Sequence, residues 1–341
     1  MKKHQTTIID LAKALNISKS TVSRALTGHP SVTMHTRQAV LNLAEKMDYQ
    51  RNMLAISLIT SKSNTIGIIV PEITSSYFPQ VIVGAQETAS AAGYNIIISQ
   101  SNESYETEVA NTKVMLANQV DGIIVSISKE TRNFDHFKIF QRKGIPIVFF
   151  NRICDEMIVP KVTVDNYEGA FKAVQHLIQT GKTRIAHLSG PKSLSISIGR
   201  MNGYLDALKK YNIPVVEDLI ISYDLSIEKV KIYVKHLLSL PQPPDAIFAI
   251  NDPAAIEAIK VIKETGLRIP EDIAVVGFSN DYVSALMEPS LTTISQPVQK
   301  IGSTSIELLL DQMKRDVADW KAITKVLKTE LIIRDSSRKK D

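Results

Sequence analysis

The stretch NISKSTVSRALTG, residues 16–28, sets four hydroxyls (Ser18, Ser20, Thr21, Ser23) and two cations (Lys19, Arg24) within seven residues. Hydroxyl residues are poor helix formers, because they compete for backbone hydrogen bonds. Ile17, Val22, Ala25 and Leu26 nevertheless keep a helical spacing. A helix with this pattern buries those four and shows Lys19, Ser20, Ser23 and Arg24 on its outer face. Short hydroxyls let it sit deep in a DNA groove and donate to phosphates or base edges. Arginine can grip guanine O6 and N7 with two bonds, worth about 1–3 kcal/mol of discrimination. The chemistry implied is recognition of a polyanion.

The elements that must hold this helix lie around it. Thr7 stands three residues before Asp10, close to a capping box. Leu11, Ala12 and Leu15 form an apolar stripe, and Asn16 tolerates the positive φ of a tight turn. Ser18 offers a new N-cap. A third periodic stretch from Thr36 carries Ala39, Val40, Leu43, Ala44 and Met47. Three short helices close a small core. Residues 1–62 hold nine Lys/Arg against three acids, +6 of the chain's net +5, which leaves −1 for the remaining 279 residues. A small basic module is joined to a large, nearly neutral body, an asymmetry that suits a polyanionic partner.

The segment DLAKALNISKSTVSRAL, followed by VTMHTRQAV and DYQRNMLAISL, resembles the headpiece of the LacI family of bacterial transcription regulators. The resemblance implies that the helix opening at Ser18 enters the major groove, with Lys19, Ser20 and Arg24 as base readers. Thr7, Thr21, Ser23 and Thr33 match positions that hold phosphates, and Ser18 belongs to the same DNA-facing set. The next segment, NMLAISLITSKSN, matches the hinge helix, two of which lie in the minor groove of the operator. Asn52 and Ala55 belong to it, Ala55 facing the partner helix, and Leu58 matches the leucine wedge that unstacks a base step. Arg51 stands where the family commonly writes Pro, which loosens the start of the hinge and adds a cation near the phosphates.

From Thr65 the pattern changes to alternating strands and helices: TIGIIVP, YNIIISQ, VDGIIVS and IPIVFFNR in a first series, TRIAHLSGP, DLIIS, DAIFAIND and DIAVVGFSN in a second. Two sets of βα units imply two parallel-sheet subdomains. The chain returns once more for SLTTISQP and the helix VQKIGSTSIELLLDQMKR, and KVLKTELIIRDSS reads as one closing strand. The fold class expected is α/β, with a three-helix helix-turn-helix headpiece and hinge helix followed by two doubly wound subdomains of the periplasmic-binding-protein type I kind. Expected boundaries are 1–51 for the headpiece, 52–62 for the hinge and 63–341 for the effector domain. Its first subdomain is taken as about 63–162 plus 293–325, and its second as about 163–292 plus 326–341.

Ligands of open α/β sheets bind at the carboxyl ends of strands. The family resemblance continues through VDNYEGA, GRMNGYLDAL, AIFAINDPAA and VVGFSN, and places an effector cleft there. Arg200 in SIGRMNGY matches the arginine that grips effector oxygens. Asn151 after IPIVFF, and Asn251 with Asp252 after AIFAI, stand where polar effector contacts are made. Tyr77 suits stacking on a sugar or base and equally suits core packing. Ser279 and Asn280 occupy places where many relatives carry paired acids. A carbohydrate is the effector class the family implies.

Other chemistries find no support. TGKT at 180–183 lacks the earlier glycine of a phosphate loop, since His176 stands there. The seven histidines have no metal-ligand spacing, and neither G-x-S-x-G nor G-x-G-x-x-G occurs. No metal, cofactor or catalytic residue is expected. The single cysteine, Cys154, allows no intramolecular disulfide and fits a reducing cytoplasm. The N-terminal residues show no export signal, and no run is long enough to span a bilayer. These features point to a cytoplasmic homodimer that binds a double-stranded operator, probes no membrane and answers to a small polar metabolite. A transporter's solute-binding protein would need an export signal and no basic headpiece; a sugar-modifying enzyme would need a catalytic constellation.

Overall fold

A computed structural model of the chain describes residues 6–50, 62–314 and 322–338. It divides into two compact units, Met1–Ser63 and Asn64–Asp341. The expected hinge residues Asn52, Ala55 and Leu58 lie outside the described residues, as does Arg51.

The small unit holds α1 (Ile8–Ala14), α2 (Lys19–Leu26) and α3 (Met34–Lys46). Leu11, Val22 and Val40 are fully buried at its centre, with Ala12, Ala25 and Ala44 where the helices meet. Small side chains at these contacts let three short helices close over one another. The ends are fixed locally. The Asp10 carboxylate accepts the Thr7 backbone N–H at 2.8 Å and the Thr7 hydroxyl at 2.7 Å. Asn16 (φ 52°) turns the chain between α1 and α2, with Asn16 N–H bonded to the Lys13 carbonyl and Ile17 N–H to the Ala12 carbonyl. This pair of bonds defines a Schellman ending. Asp48 (φ 48°) ends α3 in the same way.

The first lobe of the large unit runs β1 (Thr65–Val70), α4 (Tyr77–Ala91), β2 (Asn95–Gln100), α5 (Tyr105–Ala117), β3 (Gly122–Val125), α6 (Asp135–Arg142), β4 (Ile147–Phe150) and β5 (Lys161–Val164). The second follows with α7 (Asn166–Gln179), β6 (Ile185–Ser189), α8 (Ser195–Lys210), β7 (Ile220–Ser222), α9 (Ile227–Leu238), β8 (Ala246–Ala249), α10 (Asp252–Glu264), β9 (Ala274–Ser279) and β10 (Thr292–Ser295). The chain then adds α11 (Val298–Lys314), β11 (Thr324–Leu327) and β12 (Glu330–Ile332). The first sheet is ordered β11-β5-β4-β3-β1-β2 and the second β12-β10-β9-β8-β6-β7. Every pair is parallel except β10 with β12. In both sheets the strand order reverses around the first strand, which opens a crevice at the carboxyl ends. β3, β4, β6 and β8 are buried throughout, as strands covered on both faces are.

Helix contacts fix each lobe. A Cβ on Gly84 of α4 would meet the Gln299 carbonyl oxygen, and a Cβ on Gly302 of α11 would meet that of Val81. Only hydrogen at both positions lets these two helices touch backbone to backbone.

Two sequence expectations are corrected here. KVLKTELII is not one strand: Thr324–Leu327 pairs with β5 in the first sheet, and Glu330–Ile332 pairs antiparallel with β10 in the second. The polar run Lys328-Thr329-Glu330 interrupts the apolar pattern at the change of partner, but a local break does not say which sheet the next residues join. The subdomain boundaries move accordingly. β5 keeps residues 161–164 in the first lobe, β10 puts 292–295 in the second, and β11 extends the first lobe's share to Leu327.

Candidate DNA-contact face and effector cleft

The outer face of α2 is built as its sequence suggests. Val22 and Ala25 are buried, while Lys19, Ser20, Ser23 and Arg24 are exposed. Ser18 caps the helix, its Oγ accepting the Thr21 N–H at 3.1 Å. The Ser18 hydroxyl also lies 2.7 Å from that of Ser20 and 2.8 Å from that of Thr21. These hydroxyls crowd the positive end of the helix, where unbonded N–H groups favour an anion. Thr33 caps α3 likewise, its Oγ1 accepting the Thr36 N–H at 3.3 Å. Among the described residues, neither Lys19 nor Arg24 forms an ion pair. The two cations and the Ser23 side chain are therefore exposed over a small apolar core.

In the large unit, loops at the carboxyl ends of both sheets enclose a cleft of about 840 Å³, part of it open to solvent. Tyr77, Asn151, Arg200, Asn251 and Ser279 all line it. Arg200 is 3 % exposed. Its Nε donates to Asn166 Oδ1 at 3.0 Å, its Nη1 to the Ile250 carbonyl, and its Cζ sits 3.6 Å above the Phe278 ring. Burial lowers its pKa to about 9, so it remains a cation at neutral pH. Tyr77 is buried beside Phe78 with rings edge to face at 5.1 Å, and burial raises its phenol further above its ordinary value. Tyr77 packs in the first lobe's core, as the second of its two readings expects, and it is also one of the residues that line the cleft. Asn151 ends β4 with φ 57°. Asn251 caps α10, its Oδ1 accepting the Ala254 N–H at 3.0 Å.

Asp252 does not line the cleft, contrary to expectation. It is fully buried, and its carboxylate accepts the Asp281 N–H at 2.7 Å, the Ser284 hydroxyl at 2.6 Å and the Thr293 hydroxyl at 2.5 Å. The motif placed both Asn251 and Asp252 at a strand end, but one residue along a helix start turns a side chain from the cleft to the sheet. A Cβ on Gly277 would strike Asp252 Oδ1, so the glycine makes room for this knot.

Residue-by-residue reading missed a second set of lining groups: Glu72, Glu103, Arg152, Asp281 and Gln296. Arg152 Nη1 donates to Glu103 Oε2 at 2.7 Å. Burial raises the Glu103 carboxyl, but Arg152 and the Lys129 N–H outweigh it and hold the pKa below the ordinary value. Glu72 accepts bonds from Thr74 and Ser75 and stiffens the loop after β1. Arg152 follows Asn151 directly and Gln296 closes SLTTISQ, so both stood at strand ends, the one signal that was available. Tyr77 OH, Arg152 Nε and Gln296 Oε1 are buried without a hydrogen-bond partner. A buried polar atom left unpaired is costly, and all three belong to cleft-lining residues.

Two family models together match most of the chain. Residues 7–52 match "Bacterial regulatory proteins, lacI family", and residues 63–332 match "Periplasmic binding proteins and sugar binding domain of LacI family". The chain belongs to the LacI family. The HTH-type transcriptional repressor CytR of Escherichia coli (strain K12) is 34 % identical over 99 % of this chain and 98 % of its own length. Among solved structures, the complex of the transcriptional regulator CelR with cellobiose shares 26 % identity, covering 97 % of this chain and all of that one, at a TM-score of 0.74. The Lac repressor bound to ONPG in the repressed state shares 25 % identity over 98 % of this chain and all of that one, at a TM-score of 0.85. Among the described residues of this LacI-family chain, no helix is long and apolar enough to cross a membrane, and no three His, Cys, Asp or Glu are grouped to hold a metal.

Proposed function

We propose that this LacI-family chain is a cytoplasmic repressor that binds a pseudo-palindromic operator as a homodimer and answers to a small polar metabolite, a carbohydrate, held between its lobes. The observation that carries the reading is that the chain has both an exposed donor face on α2 and, in its large unit, a cleft at the carboxyl ends of both sheets lined by Arg200, Asn151, Asn251 and Ser279. Lys19, Ser20 and Arg24 read bases from α2; Thr7, Thr21, Ser23 and Thr33 hold phosphates, with Ser18 in the same DNA-facing set; Asn52, Ala55 and Leu58 serve the hinge. In the cleft, Arg200 offers its remaining donors to ligand oxygens, and Tyr77, Asn151, Asn251 and Ser279 surround them. The mixture of donors and acceptors over Phe78, Ile196 and Leu225 suits a polyhydroxylated ring, polar at its edge and apolar on its face. The CelR–cellobiose structure supports a sugar by likeness.

Effector and operator are coupled by linkage: a ligand that prefers one lobe arrangement shifts the form in which the headpieces bind DNA, and the effect is reciprocal. The chemistry is binding rather than catalysis. The test is a selection of operator sequences from random duplexes, with sugars, sugar phosphates and nucleosides screened by thermal shift. A ligand at 100 times its Kd raises stability by about 2.7 kcal/mol. Arg200→Ala removes the response to the selected ligand and leaves operator preference intact. A chain that selects no duplex overturns the reading.

A further inference from the structure

Two contacts join the lobes across the cleft mouth. The Asp281 carboxylate Oδ2 accepts the Ser76 backbone N–H at 3.2 Å and the Ser76 hydroxyl at 2.7 Å. At another point Lys129 Nζ donates to the Asp224 carbonyl at 2.8 Å. Ser76 is the N-cap residue of α4, and its own side chain makes no capping bond. We infer that Asp281 is a positioning residue that caps α4 from the opposite lobe when the cleft is shut, fixing the start of the helix that carries Tyr77; the inference rests on the cleft being the effector site.

The two carboxylate oxygens divide the work. Oδ1 accepts the Val283 N–H at 3.1 Å and serves its own lobe, while Oδ2 reaches across. The backbone that delivers Asp281 is held under strain. Ser279 has φ 142° and Asn280 φ 56°. A serine so far into positive φ persists only where its surroundings over-determine it. Here Gln296 Nε2 donates to Ser279 Oγ at 3.1 Å, Arg334 Nη2 donates to Asn280 Oδ1 at 2.8 Å, and the Asp281 N–H is bonded to buried Asp252. Asp252 thus has a purpose at one remove: it anchors the loop whose next carboxylate crosses the cleft. The carboxylate ends at the positive pole of a 15-residue helix, where negative charge is favoured. Opening the cleft removes this cap and frees the Ser76 amide to water. Closing restores it, and fixes the start of the helix that carries Tyr77.

Hydrogen exchange at the Ser76 amide tests this on the full chain without added ligand. Asp281→Ala should speed exchange of that amide roughly three- to thirty-fold, the range expected for loss of a helix cap. Asp281→Asn keeps an acceptor and should restore most of the protection. Ser76→Ala, on the other lobe, keeps the amide, loses the hydroxyl bond and should fall between. Should Asp281→Ala fail to fold, the Ser76→Ala result decides by the same criterion. A role confined to the second lobe would raise exchange over residues 281–285 and leave residue 76 as in the wild type, and that outcome overturns the inference. Operator selection is scored separately, so a failure of the regulator reading leaves the exchange result standing.

Discussion

The α2 face and the cleft both present arginine, serine and polar partners, but under opposite constraints. Lys19, Ser20, Ser23 and Arg24 stand in solvent on one helix, and the bonds made by its hydroxyls are local, Ser18 to Ser20 and Thr21. Arg200 is buried and pinned by Asn166 and Ile250, 34 and 50 residues away in sequence. A solvated donor can adapt to the DNA it meets. A buried donor has been oriented in advance, so less ordering remains when a ligand arrives. The first design tolerates substitution of its neighbours; the second depends on them.

Substitutions that strike at this difference should separate the two regions. The largest effect is expected inside the second lobe. Asp252→Ala leaves the Ser284 and Thr293 hydroxyls and the Asp281 N–H without their acceptor, and should destabilise the large unit by about 3–5 kcal/mol in urea unfolding. A loss below 1 kcal/mol would mean that water replaces the carboxylate and that the cleft is less fixed than its bonds suggest.

A second effect comes from buried His187, stacked between Phe248 and Tyr204 and bonded through Nδ1 to the Phe248 carbonyl at 2.9 Å. Burial lowers its pKa to about 4. The folded value lies below the ordinary imidazole value, so the unfolded chain takes up the proton first. The resulting stability is complete above about pH 6.5 and is lost as pH falls towards 4, on the order of 3 kcal/mol in all. His176, also lowered by burial, adds in the same sense, while Asp252, raised by burial, works against it. His187→Phe keeps a stacked ring without the titration, and should flatten the slope of stability between pH 6.5 and 4. An unchanged slope would assign the loss to other groups.

Smaller effects are expected on the exposed face. Arg24→Ala should weaken specific duplex binding by about 1–3 kcal/mol in a titration at fixed salt, with little change in melting temperature. If sequence preference is unaltered, Arg24 is not a base reader. Ser18→Ala removes one N-cap bond and should lower headpiece stability by about 1 kcal/mol. A neutral result would show that the Ser20 or Thr21 hydroxyl takes over the cap.

How much of each region was legible follows from the range of its interactions. Thr7–Asp10, Asn16, Ser18 and the stripe through Val22 and Ala25 act within a few residues, so spacing alone described them. Arg152–Glu103 spans 49 residues and Ser76–Asp281 spans 205; no pattern in either segment announced its partner. The error at Asp252 has the same origin. A polar residue after an apolar strand marks a strand end, but the direction of its side chain depends on the helix that starts there and on Gly277 beneath it.

The order of helices and strands, the basic headpiece, the two-lobed body and the polar strand ends were written in the chain, because periodicity, capping and charge are properties of neighbours. Three things required the folded protein: the sheet to which each half of residues 324–332 belongs, the burial of Asp252, and the meeting of Asp281 with α4. Strand pairing, burial and contact across a cleft are decided by segments far apart in sequence, and only their packing brings donor and acceptor within bonding distance.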